Sequence, residues 1–260
     1  MFNSNARSSA EFNANSAGAL LNPVNTIWNA WQASAIAIGG NAVLSNASGS
    51  VNPNVAAQGL IQSAIEGDAG WYARQRSNAV INNPFGYVCS AVAFHWRVRY
   101  APLLRVYFRT GPSLSNIRIL VGYGGNNFLT NTFGTGNVNS GGIRFSTSSA
   151  DPSWMGVVKN TSGTVVESNL GMLPTINTEY ILQIEFSLTE VTYRVKNIGT
   201  DQSVRVSVPN IMITGGGFTF PDLAMGGELL FGGVTLDGVA KECSIQRIMQ
   251  YYRVTETVQE

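Results

Sequence analysis

Residues 141–197 read GGIRFSTSSADPSWMGVVKNTSGTVVESNLGMLPTINTEYILQIEFSLTEVTYRVKN. Within them Tyr180, Leu182, Ile184 and Phe186 alternate with Ile181, Gln183 and Glu185. Side chains alternate across a strand, so this period of two predicts a half-buried antiparallel strand. Val191, Tyr193 and Val195 follow after a short turn and predict its return strand. On the N-terminal side Ile143 and Phe145 alternate with Arg144 and Ser146; Met155, Val157 and Val158 follow Trp154, and 164–166 come after the turn at 160–163. Short strands separated by Gly, Asn, Ser and Pro are the pattern of a β-sandwich.

Working outward, strands are expected at 42–44, 60–65, 71–76, 87–100, 103–110, 117–123, 203–208, 218–220, 228–236 and 243–254. Pro102 is expected to turn the chain between two of them, because proline cannot donate to a central ladder. No internal repeat is visible, and no linker divides the chain after residue 27. The fold class is therefore all-β, a two-sheet antiparallel sandwich over residues 28–258 with an extended N-terminal arm over 1–27.

At 260 residues and 27.8 kDa the chain is long enough for one large all-β domain. Its charged fraction is 12%, against the roughly 25% usual in soluble domains. Asn, Ser, Thr and Gly must supply the remaining polar surface. The net charge of +1 gives no electrostatic footprint for nucleic acid or anionic lipid, and little protection against self-association. No window approaches the roughly 18 apolar residues of a membrane helix. The N-terminus lacks the basic-then-apolar layout of a signal peptide.

From Phe12 to Ile65 there is no Asp, Glu, Lys or Arg, while Leu20, Leu21, Ile27, Trp28 and Trp31 accumulate. An uncharged segment bearing tryptophan is better suited to lying against another surface than to solvent. These five residues are the candidate partner contacts. Residues 1 to about 40 are accordingly expected to add little to the sandwich core and much to contacts with other chains. The competing account packs Trp28 and Trp31 back onto their own sandwich.

The stretch 140–186, together with VNPNVAAQGLIQSAIEGDAGWYA upstream and CSIQRIMQYYRV at the end, resembles the concanavalin-A-like jelly rolls of tailed-phage structural proteins. VVESNLGM stands where that module carries an Asp-Thr-Gly segment, and its Asn-His-Pro-Gly start lacks the His-Pro-Gly here. The resemblance implies a jelly-roll sandwich and a non-enzymatic virion component on the particle exterior, such as a tail-fibre, adaptor or decoration subunit. Its partners would be other virion proteins and copies of itself, with no nucleic acid, no membrane insertion and no cofactor. The alternative is a carbohydrate-binding module for host surface glycans.

Chemistry-bearing residues are sparse. His95 is the sole histidine, in AFHWRVRY, and reads as a structural residue on a sheet. No Gly-x-Ser-x-Gly elbow accompanies it, and no His, Cys or carboxylate spacing suits zinc. Jelly-roll glycosidases use two carboxylates on one sheet face; here Glu179, Glu185 and Glu190 read as solvated strand-edge groups instead. The Asn- and Gly-rich stretch 122–142 is either a surface hairpin or a binding loop, in which Tyr123, Asn126, Asn127 and Phe128 would meet a sugar or a neighbouring subunit. Arg74 with Arg76, Arg97 with Arg99, and Arg105 with Arg109 recur at even spacing, so each pair points to one side of its strand; that side is a solvent face or an interface. Cys89 and Cys243 read as buried thiols, a disulfide needing proximity that sequence does not fix. Far-UV circular dichroism should show a strand-dominated spectrum with less than about 15% helix, where soluble domains usually hold 30–35%; a helix-dominated spectrum would refute the fold assignment.

Overall fold

The computed structural model describes residues 26–35, 42–46, 49–50, 61–67, 70–89, 103–124, 140–159, 165–187, 189–209 and 228–253. In chain order the strands are β1 (Thr26–Ala35), β2 (Ala42–Asn46), β3 (Gly49–Ser50), β4 (Ile61–Gly67), β5 (Gly70–Arg76), β6 (Pro84–Cys89), β7 (Leu103–Thr110) and β8 (Ile117–Gly124). They continue as β9 (Ser140–Ser146), β10 (Met155–Lys159), β11 (Val165–Asn169), β12 (Glu179–Phe186), β13 (Glu190–Asn197), β14 (Ser203–Pro209), β15 (Glu228–Thr235) and β16 (Glu242–Arg253). Among the described residues the one helical turn is a 3-10 turn at Thr147–Ser149.

Two antiparallel sheets result. Ten strands form the larger sheet, in the order β14-β13-β12-β7-β16-β1-β2-β3, with β4 and β5 joined through β16; six form the smaller, β11-β10-β9-β8-β15-β6. The chain is thus an all-β, two-sheet antiparallel sandwich, as the alternation predicted. β16 is long enough to serve two neighbours on one side. Its residues 242–245 pair with β5 and residues 247–253 with β1. A register shift between Ile245 and Arg247 lies between those two pairings, and such a bulge re-aims the strand between partners.

The alternation read in β12 is what positions the core. Tyr180, Leu182, Ile184 and Phe186 are buried in it with Leu104, Val106 and Phe108 from β7 and Val191, Tyr193 and Val195 from β13. Ile117, Ile119, Val121, Ile143 and Val158 face them from the smaller sheet. Trp154, just ahead of β10, is fully buried and makes edge contacts with Phe108, Phe145 and Tyr180 at ring-centroid distances of 5.9, 6.1 and 5.6 Å.

Two expectations are corrected. Thr26 and Ile27, assigned to the arm, already belong to the sheet: β1 pairs with β16 and β2, with Ile27, Trp28 and Trp31 opposite Tyr252, Tyr251 and Ile248. The second half of β16 has backbone donors and acceptors to satisfy, and a neighbouring strand satisfies them. Glu179, expected to be solvated, is 7% exposed and sits across from Arg109 in the ladder. The strand expected from residue 87 begins earlier, at Pro84, as the first residue of an edge strand, where a missing N–H costs nothing. Leu20, Leu21, His95, Arg97, Arg99, Asn126, Asn127, Phe128 and the strand expected at 218–220 lie outside the described residues.

Two core tyrosines differ in a way that can be measured. The Tyr180 hydroxyl accepts from the Thr175 N–H at 2.9 Å and bonds the Thr175 hydroxyl at 3.0 Å. The Tyr193 hydroxyl is buried with no partner, and burial pushes its phenol well above the usual range. A stranded buried hydroxyl costs about 1–3 kcal/mol. Tyr193→Phe should therefore raise stability in denaturant titrations, whereas Tyr180→Phe should lower it by roughly 1 kcal/mol; the opposite order would refute the packing described.

Candidate functional site

The face of the larger sheet turned away from the core carries a row of polar side chains. Arg74 and Arg76 on β5, and Arg105 and Arg109 on β7, do share this face, because their alternate neighbours Gln75, Leu104, Val106 and Phe108 turn inward. Arg105 is only 3% exposed, and donates through Nε and Nη2 to Gln183 Oε1 at 2.9 and 2.7 Å. The Arg247 guanidinium lies 5.6 Å from the centroid of the Tyr107 ring. Toward the sheet edge the row opens to solvent. There exposed Ser207 bonds the buried Thr192 hydroxyl at 2.8 Å, and Arg194 Nε donates to the Ser203 hydroxyl at 3.1 Å, beside exposed Arg205.

The outer side of the smaller sheet holds a buried ion cluster. Arg144 Nε and Nη2 grip Asp151 at 2.9 and 2.7 Å, and Nη1 reaches Glu167 at 2.7 Å. Burial alone would lower the Arg144 pKa, but Asp151 and Glu167 outweigh it and raise it. Asp151 also accepts the Ser146 N–H at 2.7 Å, which closes the 3-10 turn between β9 and β10. These carboxylates hold loops in place. Cys243 is a buried free thiol pushed up by burial and by neighbouring Glu242. Cys89 ends β6 in the other sheet, at the end away from Cys243. Among the described residues no three His, Cys, Asp or Glu side chains group to hold a metal.

A third feature was not anticipated from sequence. Among the described residues, the large aliphatic side chains that remain more than half exposed are Val80, Ile81, Leu173, Ile176 and Val239. The ladder registers place all five at one end of the sandwich, where β5, β7, β11 and β15 finish and β6, β8, β12 and β16 begin. The loops there are laced together. Ser77 N–H donates to Lys241 O and Asn82 N–H to Thr235 O, each at 2.8 Å. Leu236 N–H donates to Asn116 O at 2.8 Å, and Asn177 N–H to Gly111 O at 3.0 Å. Asn82, Asn116, Ala150, Asn177 and Asp201 hold the left-handed conformation in these turns, four of them Asn or Asp, the non-glycine residues that tolerate it best.

The nearest charges in this surface are tied down. Asp237 accepts from the Val239 N–H and the Asn116 amide at 3.0 Å each and from the Thr235 hydroxyl at 3.1 Å, with Lys241 Nζ at 3.3 Å. Leu114 packs from here against the core. Arg76 and Asp201 stay exposed at the margins. The result is a loop end with five exposed aliphatic side chains among polar ones such as Asn82, Asn116, Thr175 and Asn177, on preset turns with little ordering left to do on binding. Of the residues singled out beforehand, Ile27, Trp28 and Trp31 lie in β1 and Tyr123 near the opposite end of β8, opposite Leu229 and Gly141. None belongs to this end.

No protein family and no curated protein matches the sequence. Among solved structures, a protein of unknown function from Shewanella oneidensis MR-1 is similar, with TM-score 0.58 and 13% identity over 95% of both chains. Lectin I from Ulex europaeus, in complex with the methyl glycoside of α-L-fucose, has TM-score 0.49 and 8% identity over 88% of this chain and 99% of the lectin. A carbohydrate esterase from Shiga toxin-encoding bacteriophage phi24B has TM-score 0.43 and 12% identity over 75% of this chain and 88% of that one. At such identities only fold is compared, and of these three the Shewanella structure supports it.

Asp237 gives this end a measurable acid response. Burial pushes its carboxyl up, but the bonds from Val239, Asn116, Lys241 and Thr235 outweigh that and lower it from 3.8 to about 2. A depressed carboxyl stabilises the fold above its unfolded pKa and loses that contribution as pH falls through the folded one. The melting temperature of Asp237→Asn should therefore lie below that of the native chain at neutral pH, with the gap closing as pH drops from 3.8 toward 2. A pH-independent gap would contradict the assignment.

Proposed function

We propose that this chain is a non-enzymatic structural subunit that works by packing, as an external component of a tailed-phage virion of the tail-fibre, adaptor or decoration kind. The apolar loop end carries this reading. Exposed aliphatic groups gathered on hydrogen-bonded turns are the form of a preorganised protein contact. The 12% charged content and the resemblance to virion jelly rolls support it. The residues ahead of β1, 1–25, contribute further contacts with neighbouring chains. Carboxylates at Asp151 and Glu167 serve loop closure, which favours packing over hydrolysis.

A second reading, carbohydrate binding, is favoured by the open part of the polar row, where Arg194, Arg205 and Ser207 offer donors and acceptors along β13 and β14. Hydroxyl and guanidinium groups on rigid strands can hold sugar hydroxyls. The fold alone does not choose between these readings, since sandwiches host lectins, hydrolases and structural parts.

Mass spectrometry of gradient-purified particles from producing cells should find the chain at constant stoichiometry, with antibody labelling on the outside. Ile81→Asp/Leu173→Asp should fold and yet be lost from particles; undiminished incorporation would refute the packing role of the loop end. For the second reading, a glycan array probed with the full chain should show hits weakened by Arg194→Ala/Arg205→Ala, and a uniformly blank array would dismiss it.

A further inference from the structure

The loop end needs an occupant, and the chain itself contains one. Residues 12–25, FNANSAGALLNPVN, carry no charge and concentrate Leu20, Leu21 and Val24 just ahead of β1. We propose that this segment of one copy docks on the apolar loop end of another, joining copies head to tail. The inference rests on the packing role of the loop end given above, and names its partner.

Geometry makes the contact of Leu20, Leu21 and Val24 intermolecular. β1 starts at Thr26, which pairs with Arg253, whereas the loop end adjoins Glu242 at the other end of the same strand. β16 spans 12 residues, about 40 Å at roughly 3.3 Å per residue. Leu20 lies six residues before Thr26 and Leu21 and Val24 lie nearer, so fully extended chain carries them at most about 20 Å. They fall short of their own loop end by about half the length of the sandwich. The loop end of a second copy stacked below is within reach.

The chemistry of the two surfaces agrees. Val80, Ile81, Leu173, Ile176 and Val239 are aliphatic and exposed, and the segment offers aliphatic side chains separated by Asn, Ser, Ala and Gly. An uncharged segment leaves the Asp237–Lys241 and Asp151–Arg144 pairs intact. A net charge of +1 opposes approach weakly. Because the two contacting surfaces differ, the contact is heterologous; it closes into a ring if the rotation permits and extends as a filament if it does not.

Complementation between two full-length variants tests this. Leu20→Asp/Leu21→Asp spoils the segment and keeps the loop end; Ile81→Asp/Leu173→Asp does the reverse, at positions each 61% exposed. Sedimentation velocity over a concentration series should show the native chain forming species beyond the dimer. Each variant alone should be monomeric, its association weakened about a hundredfold, since each buried aliphatic side chain is worth about tenfold or more. The equimolar mixture should form a 1:1 complex and nothing larger, as only one segment and one loop end remain functional. Unchanged melting temperatures certify folding, and Ile176→Asp/Val239→Asp replaces the loop-end variant if it fails that check. A mixture that stays monomeric, a native chain monomeric throughout, or a segment variant that associates normally overturns the inference. In those cases the packing role still answers to particle incorporation of the loop-end variant, so the two ideas fail separately.

Discussion

One indole holds the two sheets in register with the end of the sandwich. Trp154 is fully buried between Phe108 and Tyr180 of the larger sheet and Phe145 of the smaller. Its own backbone is pinned on both sides, its N–H donating to Met172 O and its carbonyl accepting from Leu170 N–H, each at 2.9 Å. Two residues on, Gly156 lets the Tyr193 ring approach so closely that a Cβ would sit 2.5 Å from it. Truncating a buried aromatic of this kind typically costs about 3–5 kcal/mol. Because Trp154 grips 170–172, the core also sets where the following loop displays Leu173 and Ile176. The surface is rigid because the core beneath it is.

The central strands were legible because each buries one side. β7 at Leu103–Thr110 matches the expected bounds, and β12 and β13 show the inward alternation read from Tyr180 to Val195. β1 was not legible for the same reason in reverse. In TIWNAWQASA, Ile27 and Trp31 fall on one side and Trp28 on the other, with Asn and Gln on both, so no period of two marks a buried face. Its strand state comes from pairing with β16, a partner more than two hundred residues away in sequence. The loop end was invisible for another cause. A single exposed aliphatic residue in a loop is ordinary, and only topology brings three separate loops to one end. The Arg144–Asp151 pair was similarly hidden, its members separated by a turn that the pair itself closes.

Charge is used sparingly and inwardly in this chain. Arg144 closes a turn, Arg105 fixes Gln183, Lys241 leans on Asp237, and Arg247 covers a tyrosine ring. The paired arginines visible in the sequence therefore include members that brace the sheet from outside its core. What remains to face a partner is mostly neutral: hydroxyls beside Arg194 and Arg205 along the open sheet edge, and aliphatic groups at the loop end with Arg76 and Asp201 at its margins. Contacts of that kind depend on shape and exclusion of water more than on electrostatic steering.

The place of β16 has a consequence for how the molecule comes into being. β1 to β5 join the rest of the larger sheet through β16 alone, because β1 and β5 both pair with it, β2 pairs with β1 and β3, and β4 pairs with β5. On the ribosome the first quarter of the chain therefore emerges long before the strand that will receive it. The middle of the chain, β7 to β14, contains mostly neighbouring pairs and can close early, whereas β1 to β5 wait for β16. Closing so long a loop is slow and leaves strand edges bare in the interval. The larger sheet is complete only once β16 has joined it, which ties final assembly to the one strand shared by β1, β5 and β7.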